Sequence, residues 1–301
     1  YGDGSAGALS VTSGQTLDLS TQAGFNSLNG HHHLQFTTIS IAGTLKVPSG
    51  TVLRAMGDVT VGGSILVLPG TSDAAMGQPH PGIALAAAGL PQGGVGLPAL
   101  AASLVKKPAA AAGGAGYVPN ALNTGGNGGG ALVVLAGGNV IVASGGSIDA
   151  SGIGAQNTAS SGDVPGAGGG AGGILVLAAR GGITVSGLLR ANGGAGSSAF
   201  NGNAGNTQGV GAGGGGGGGI IHFVASSSPS ITGSVLANGG PAGFDQLLGT
   251  TALAGGGGGA SGGTGGAGGA MILGISQPAQ AGSAGYMFTT VVPAPENLFI
   301  Y

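Results

Sequence analysis

The stretch "GAGGGGGGGIIHFVA", residues 211–225, places seven consecutive glycines directly before a strand-like apolar run. Glycine loses more backbone entropy on folding than any other residue, so a run of this kind is costly to order. The same succession occurs earlier, in "GGGALVVLA" (128–136) and "GGGAGGILVLAA" (168–179). Its recurrence indicates that one structural plan is used several times along the chain.

The composition is that of a folded protein with few charges. The 301 residues include 75 Gly, six Lys+Arg and eight Asp+Glu, whereas ordinary domains contain about 7% Gly and about 25% charged residues. Disorder combines low hydrophobicity with high net charge, but this chain has a positive mean hydropathy and a formal net charge of −2. The sequence therefore indicates a long, thin core rather than a disordered chain.

Three classes of site are disfavoured by the same composition. The chain has no Cys, which excludes disulfides, thiol nucleophiles and thiolate metal sites. Its few Lys and Arg residues are scattered, which argues against nucleic-acid binding. No apolar run approaches the roughly 20 residues of a membrane-spanning helix.

Internal repeats organise the chain. Each repeat is a short apolar strand followed by a glycine turn, a second strand, another glycine turn and a third strand, in which Val, Ile and Leu alternate with smaller or polar residues. The aligned copies are "GDVTVGGSILVLPG" (57–70), "GGNVIVASGGSIDASG" (137–152), "GGITVSGLLRANGG" (181–194) and "SPSITGSVLANGG" (228–240). Stacked repeats of three short strands predict an all-β protein built as a β-solenoid. A last strand is expected at "AMILGIS" (270–276).

Glycine-rich insertions separate the repeats. They occupy about 71–130, 153–173, 194–219 and 241–269, and "SGGTGGAGGA" (261–270) is a strict x-G-G triplet. A period of three is typical of the polyproline-II conformation, and the scarcity of Pro distinguishes these runs from collagen. We expect polyglycine-II helices that pack side by side and hydrogen-bond to one another. Gly216→Val should then disrupt the packing. Flexible glycine linkers are the alternative.

Four segments follow from these patterns, and one of them contains a helix. "PALAASLVKKP" (98–108) predicts a short helix near 98–107, with Pro at its start and a second Pro as its stop. The segments are an N-terminal β-solenoid or attachment segment (1–70), a long Ala/Gly/Pro-rich insertion (71–130), repeated β-coils with a polyglycine-II bundle and loops (131–276), and a C-terminal tail (277–301).

The alternation of glycine runs, apolar strands and variable loops over about 124–276 resembles the glycine-rich receptor-binding proteins of bacteriophage tail-fibre tips. That resemblance implies a non-enzymatic protein of a virion tail fibre or tip, which recognises a bacterial surface receptor (a polysaccharide or an outer-membrane protein), contacts other tail proteins and forms a homo-oligomer. It also implies a recognition surface on the loops 152–165, 194–211 and 240–255. The receptor-binding candidates there are Gln156, Asn157, Phe200, Asn201, Asn203, Phe244, Asp245 and Gln246.

Aromatic side chains supply contact area and amides supply hydrogen bonds, which suits these candidates to sugars or to exposed protein loops. Loops on a rigid scaffold are also where binding residues are concentrated. For Phe200 and Phe244 the alternative is that each ring packs under its own loop.

Catalytic and metal-binding patterns are sparse. Seven Asp and one Glu are isolated from one another in sequence, and no nucleophile elbow or nucleotide fingerprint is present, so we expect no enzyme and no cofactor. Asp149 and Arg190 fall at related places in successive repeats, where they predict one structural ion pair. His31 and His33 lie on one face of an extended "HHH" segment, and neutral imidazoles are common metal ligands; they are the candidate metal site.

Other function classes remain open. A bacterial cell-surface or extracellular filament protein that self-assembles through glycine-rich faces is the main alternative. An ice-binding protein is a third; a threonine ladder on one face would support it, and the sequence shows no regular ladder. A carbohydrate depolymerase is the fourth, and the few acidic residues argue against it because glycoside cleavage uses paired carboxylates.

Overall fold

The computed structural model describes residues 1–28, 34–72, 76–77, 79–202 and 208–299. Within these ranges most regular structure is β-strand, in parallel sheets, and there are only two short α-helices. The prediction of an all-β protein is therefore confirmed.

Three six-stranded parallel sheets form the core of the molecule. The first contains Leu9–Val11, Ile39–Ile41, Val59–Val61, Val140–Val142, Ile183–Val185 and Ser230–Ile231. The second contains Thr16–Asp18, Thr44–Val47, Ser64–Val67, Ser147–Asp149, Leu188–Arg190 and Ser234–Leu236. The third contains Gln35–Phe36, Thr51–Ala55, Ala131–Ala136, Ile174–Ala179, Ile220–Ala225 and Tyr286–Val291.

The chain visits the three sheets in the same cyclic order six times. The register agrees with the repeat alignment, since Val140 pairs with both Val59 and Ile183. Strands from the segments 1–70 and 131–276 lie in the same sheets, because Val52 pairs with Val133.

Burial explains the two kinds of apolar pattern. Strands of the first and second sheets alternate buried and more exposed residues, as in Val59–Val61, because only one face meets the core. Three strands of the third sheet are buried throughout, including Ile220–Ala225. Their second face is covered by the insertion 71–130, through Leu97, Ala102 and Ala112. A sheet that is covered on both faces requires such continuous apolar runs.

The glycine runs are buried and hydrogen-bonded to one another with a period of three. The N–H groups of Gly169 and Gly172 donate to the carbonyls of Gly214 and Gly217, at 2.9 and 2.8 Å. The latter two residues donate onward to Gly256 and Gly259, both at 2.9 Å. Other N–H groups of the same run point to other neighbours; that of Gly216, for example, donates to Gly194. The backbone groups of these buried segments are thus satisfied between runs.

Within the described ranges, three small two-stranded sheets join the insertions. They pair Asn123–Thr124 with Gln156–Asn157, Asp163–Val164 with Phe200–Asn201, and Gln208–Val210 with Thr251–Leu253. A fourth, Ala270–Ile272 with Ile275–Gln277, is a local hairpin.

The helices depart from the prediction in length and number. The helix expected near 98–107 spans Ala99–Ser103, so Lys106 and Lys107 lie beyond its end. A second helix, Gln22–Asn26, was not predicted; the Thr21 side chain caps it by accepting from the Gly24 N–H at 3.1 Å.

Two expectations for the C-terminal part are wrong. "AMILGIS" does not form one strand, because the positive φ angles of Leu273 (51°) and Gly274 (73°) fold it into an antiparallel hairpin. The segment 277–301 is more than a tail, since its strand Tyr286–Val291 pairs with Ile220–Ala225. A 3-10 helix follows at Pro295–Leu298.

Stacking also aligns hydroxyl side chains that are far apart in sequence. One outward position is in register along the six strands of the first sheet; it is Ser or Thr in five of them, and Ile141 interrupts the row. The hydroxyl residues are Ser10, Ser40, Thr60, Thr184 and Ser230. The row is mixed and interrupted, with two threonines among its members, and is not a regular threonine ladder.

Candidate functional site

The predicted recognition loops converge on residues 198–201. Phe200–Asn201 pairs with Asp163–Val164, which joins the loops 194–211 and 152–165. Phe244 joins the third loop to them, because its carbonyl accepts from the Ala199 N–H at 3.0 Å and its N–H donates to the Ser198 Oγ at 3.1 Å. The three loops thus form one surface, which we call the loop cluster.

A shallow groove of about 580 Å³ lies in the loop cluster. Gln156 and Asn157 line one side, and Ser197 to Phe200 line the other. The Gln156 side chain is exposed, whereas the Asn157 amide is engaged with the backbone. Its Nδ2 donates to the carbonyls of Val164 (3.2 Å) and Ser198 (3.1 Å). Gln156 is therefore available to a ligand, and Asn157 positions the groove walls.

The two phenylalanines differ in their surroundings. Phe244 is 82% exposed. Phe200 is half-buried and its ring lies against Gly202 of its own loop, since a Cβ added at Gly202 would be 2.7 Å from its Cε1. Phe244 therefore projects into solvent, whereas Phe200 packs against its own loop and also lines the groove.

The carboxylate of Asp245 holds two segments in place. Its Oδ1 accepts from the Ala212 N–H and its Oδ2 accepts from the Ala279 N–H, both at 2.7 Å. Gln246 donates through Nε2 to the Ala199 carbonyl at 3.3 Å. Both residues belong to the candidate set. In the structure Asp245 fastens the loop to Ala212 of a glycine run and to the segment after the 270–277 hairpin, and Gln246 fastens it to the neighbouring loop.

Asn201 has a similar internal contact, and Asn203 lies outside the described residues. The Asn201 Nδ2 donates to the Gln208 carbonyl at 3.3 Å. Of the candidates, Gln156 and Phe244 thus present side chains outward, and the others in the described ranges act mainly within the loop cluster.

Sequence reasoning missed an exposed apolar group next to these loops. Leu248 is 52% exposed, and the 270–277 hairpin exposes Ile272 (52%), Leu273 (96%) and Ile275 (63%). The Leu-Gly pair at 273–274 was the available signal, because a Gly after a short apolar run is a turn signal.

Two ion pairs outside the loop cluster link neighbouring strands. The predicted pair of Asp149 and Arg190 is confirmed, with Oδ2 and Nη2 at 2.7 Å. Asp18 and Lys46 are cross-strand neighbours as well, at 3.7 Å. These pairs lie along the second sheet and have structural roles.

His222 is the one buried histidine within the described ranges. It is 1% exposed, and its Nε2 lies 2.8 Å from the Thr290 Oγ1. Burial, with the nearby Lys106 ammonium as the second cause, lowers the pKa of His222 to about 4. The imidazole is therefore neutral and part of the packing between the third sheet and its cover.

Among the described residues, no group of three or more His, Cys, Asp or Glu side chains is arranged to hold a metal ion. The candidate ligands His31 and His33 lie outside the described ranges. No helix in the described part of the chain is both long and apolar enough to cross a membrane.

Comparisons with known proteins give no neighbour for this chain. A scan against protein-family models finds no match, and searches of curated proteins and of solved structures find no significant similarity.

Proposed function

We propose that the three parallel sheets form a three-sided β-solenoid that carries a polyglycine-II bundle. The cyclic order of the strands supports the solenoid, because each passage through the three sheets corresponds to one coil. Hydrogen bonds that recur every third residue between glycine runs support the bundle, since polyproline-II helices have three residues per turn. In this arrangement the coils stack along one axis and the bundle lies beside them.

We further propose that the protein is a non-enzymatic receptor-binding component of a bacteriophage tail fibre or tail tip. The observation that carries this proposal is the exposed Phe244 ring beside the Gln156 groove, on loops that backbone hydrogen bonds fasten to a rigid support. Binding residues held on a rigid scaffold lose little conformational entropy when a ligand docks.

The chemistry of the loop cluster suits a neutral bacterial surface receptor. An exposed aromatic ring stacks on the apolar face of a sugar or packs against a protein loop, and the Gln156 amide supplies one donor and one acceptor group. A surface polysaccharide and an outer-membrane protein both fit this description. In the virion the protein would contact other tail proteins and assemble as a homo-oligomer.

The test is binding to whole cells of the host by point variants. Phe244→Ala and Gln156→Ala are expected to lower binding at least tenfold, because each removes an outward side chain and neither removes a fastening contact. Leu100→Ala is the matched control, since Leu100 is 75% exposed on the helix Ala99–Ser103. Equal binding by all three variants would refute the assignment of the loop cluster.

A second candidate function, a self-assembling bacterial surface filament, is favoured by one specific observation. The last strands of the first and second sheets, Ser230–Ile231 and Ser234–Leu236, have one neighbour each, and Ile231 is 37% exposed. Unpaired strand edges are templates for pairing with another chain.

Electron microscopy with a gold-labelled antibody separates the two functions. Gold at virion tail tips supports the receptor-binding function. Gold along cell-surface filaments supports assembly instead and removes the basis for the Phe244 and Gln156 assignments.

A further inference from the structure

The 270–277 hairpin presents apolar side chains at a protruding tip. Ile272 pairs directly with Ile275 across the two strands, and Leu273 and Gly274 form the turn between them. Leu273 is 96% exposed, and the two isoleucines are more than half exposed. The rest of the described chain leaves Leu273 uncovered and covers the two isoleucines only in part.

The turn places a leucine, Leu273, in a left-handed backbone conformation that disfavours bulky side chains. Two-residue hairpin turns with positive φ at both positions favour Asn-Gly, because Asn tolerates this region far better than a bulky residue does. Here the first position is Leu273, with φ of 51°. Leu34 is the only other described non-glycine residue with a positive φ.

The strain at Leu273 is not offset inside the molecule. A core contact would explain an unfavourable conformation, but this side chain is almost fully exposed. Local sequence rules are broken most often at functional sites. The Leu273 side chain is therefore placed for a contact outside the molecule.

The surroundings of the tip carry almost no charge. Between Ala191 and Pro295 the sequence has one charged residue, Asp245. Both of its carboxylate oxygens accept hydrogen bonds from backbone N–H groups, one of them from Ala279, two residues after the hairpin. Asp245 thus anchors the base of the hairpin and leaves the tip neutral.

The hairpin satisfies part of its own backbone. Its strands pair in three positions, Ala270 with Gln277, Met271 with Ser276, and Ile272 with Ile275. The outer edges of the two strands keep backbone groups that this pairing does not satisfy, and each such group costs several kcal/mol in a hydrocarbon environment. Only the apolar side chains at the tip can therefore enter the hydrocarbon, while the strand edges stay hydrated.

We propose that the 270–277 hairpin inserts Ile272, Leu273 and Ile275 among the acyl chains of a lipid bilayer with an uncharged surface. A flat protein surface would cover one side of such a finger, whereas a bilayer deforms around it and covers every side. The proposal rests on the proposed function for its setting, since the loop cluster and the hairpin are joined through Asp245. The hairpin would make the lipid contact while the loop cluster binds the receptor.

Binding through three side chains is weak and reversible. A single myristoyl chain binds membranes with a constant of about 10⁴ M⁻¹, which sets the scale for such an anchor. The full chain should therefore be mixed with phosphatidylcholine vesicles at millimolar lipid, and the bound fraction measured by flotation. No cell or receptor takes part in this assay.

Leu273→Asn is the decisive variant, because it removes the apolar side chain while giving the turn its favoured Asn-Gly sequence. Bound protein should fall at least tenfold, with no loss of thermal stability. Leu100→Asn is the matched control and should float like the wild type. The proposal is overturned if the wild type does not float with vesicles, or if Leu273→Asn floats equally well.

A tryptophan reporter gives a second, direct measurement. The chain has no Trp, so Leu273→Trp introduces a single fluorophore at the tip. Vesicles should shift its emission to the blue, and lipids brominated on the acyl chains should quench it. An unshifted, unquenched emission overturns insertion. The two proposals can fail separately. If Phe244→Ala binds cells as well as the wild type does while the wild type still binds vesicles, the receptor proposal is refuted and the lipid proposal stands.

Discussion

Replacing Gly216 by alanine tests the packing of the glycine runs most directly. A Cβ at this position would lie 2.0 Å from the Gly170 carbonyl oxygen and 2.4 Å from its carbon. Both atoms are backbone, so no side-chain rotation relieves the overlap. The two runs must move apart by more than about 1 Å, since Cβ contacts below 3.0 Å are essentially never seen and ordinary contact begins at 3.4 Å.

The expected loss of stability is a large part of the total. Overpacking a buried site costs about 1–3 kcal/mol. The Gly216 N–H donates to Gly194 at 2.9 Å, and its carbonyl accepts from Gly240 at 2.7 Å. Losing each of these bonds leaves buried polar groups unpaired, at about 1–3 kcal/mol per bond. The sum, about 3–9 kcal/mol, compares with about 5–15 kcal/mol for the whole stability of a typical protein.

Urea unfolding of wild type, Gly216→Ala and Gly62→Ala measures this difference. Gly62 is the matched control, because its added Cβ would have Ile41 O as its nearest neighbour, at 3.9 Å. Its substitution should change the free energy of unfolding by less than about 1 kcal/mol. If Gly216→Ala differs from Gly62→Ala by less than 1 kcal/mol, the runs are not packed backbone against backbone.

Three further changes test the charged and polar contacts. His222 has a pKa of about 4 against an ordinary 6.5, so the unfolded chain takes up a proton that the folded protein excludes. The free energy of unfolding should therefore be highest above pH 6.5 and should fall by up to about 3 kcal/mol on acidification to pH 4. Urea midpoints measure this fall, which should be smaller in His222→Gln. The half-exposed Asp149–Arg190 pair should give a coupling energy of about 0.2–1 kcal/mol in a double-mutant cycle; a coupling that does not weaken in 1 M NaCl would contradict its exposure. Asp245→Ala should free the hairpin base and speed limited proteolysis within 270–277. Asp245→Asn keeps one acceptor oxygen and should have a smaller effect. Equal cleavage of the wild type and both variants would show that the carboxylate does not anchor the hairpin.

The repeats were readable from sequence because their spacing is local. Alternation of large apolar and small residues indicates which side of a strand meets the core. Glycine turns at matching positions in each repeat set the length of the strands between them. That alignment was sufficient to predict the pairing of Asp149 with Arg190, which lie 41 positions apart in the chain. The period of three in the glycine runs was readable for the same reason.

The three candidate loops were selected from the sequence, and the structure places them next to one another. The loops that carry Gln156 and Phe244 were identified because they interrupt the glycine pattern. The roles of Asp245 and Asn157 were not predicted, since an amide or carboxylate in a loop has the same sequence signature whether it meets a ligand or a backbone N–H. Which of the two happens depends on how many backbone groups the neighbouring run leaves unsatisfied.

By itself the sequence determined the strand content, the repeat register and the positions of the glycine-rich insertions, because each depends on residues within one or two turns of the chain. Tertiary structure alone decided which insertions become neighbours and that Ser10, Ser40 and Thr60 fall into one row. These features depend on contacts between segments separated by insertions of unequal length. No local pattern encodes them, because the free energy that selects them comes from burying one segment against another.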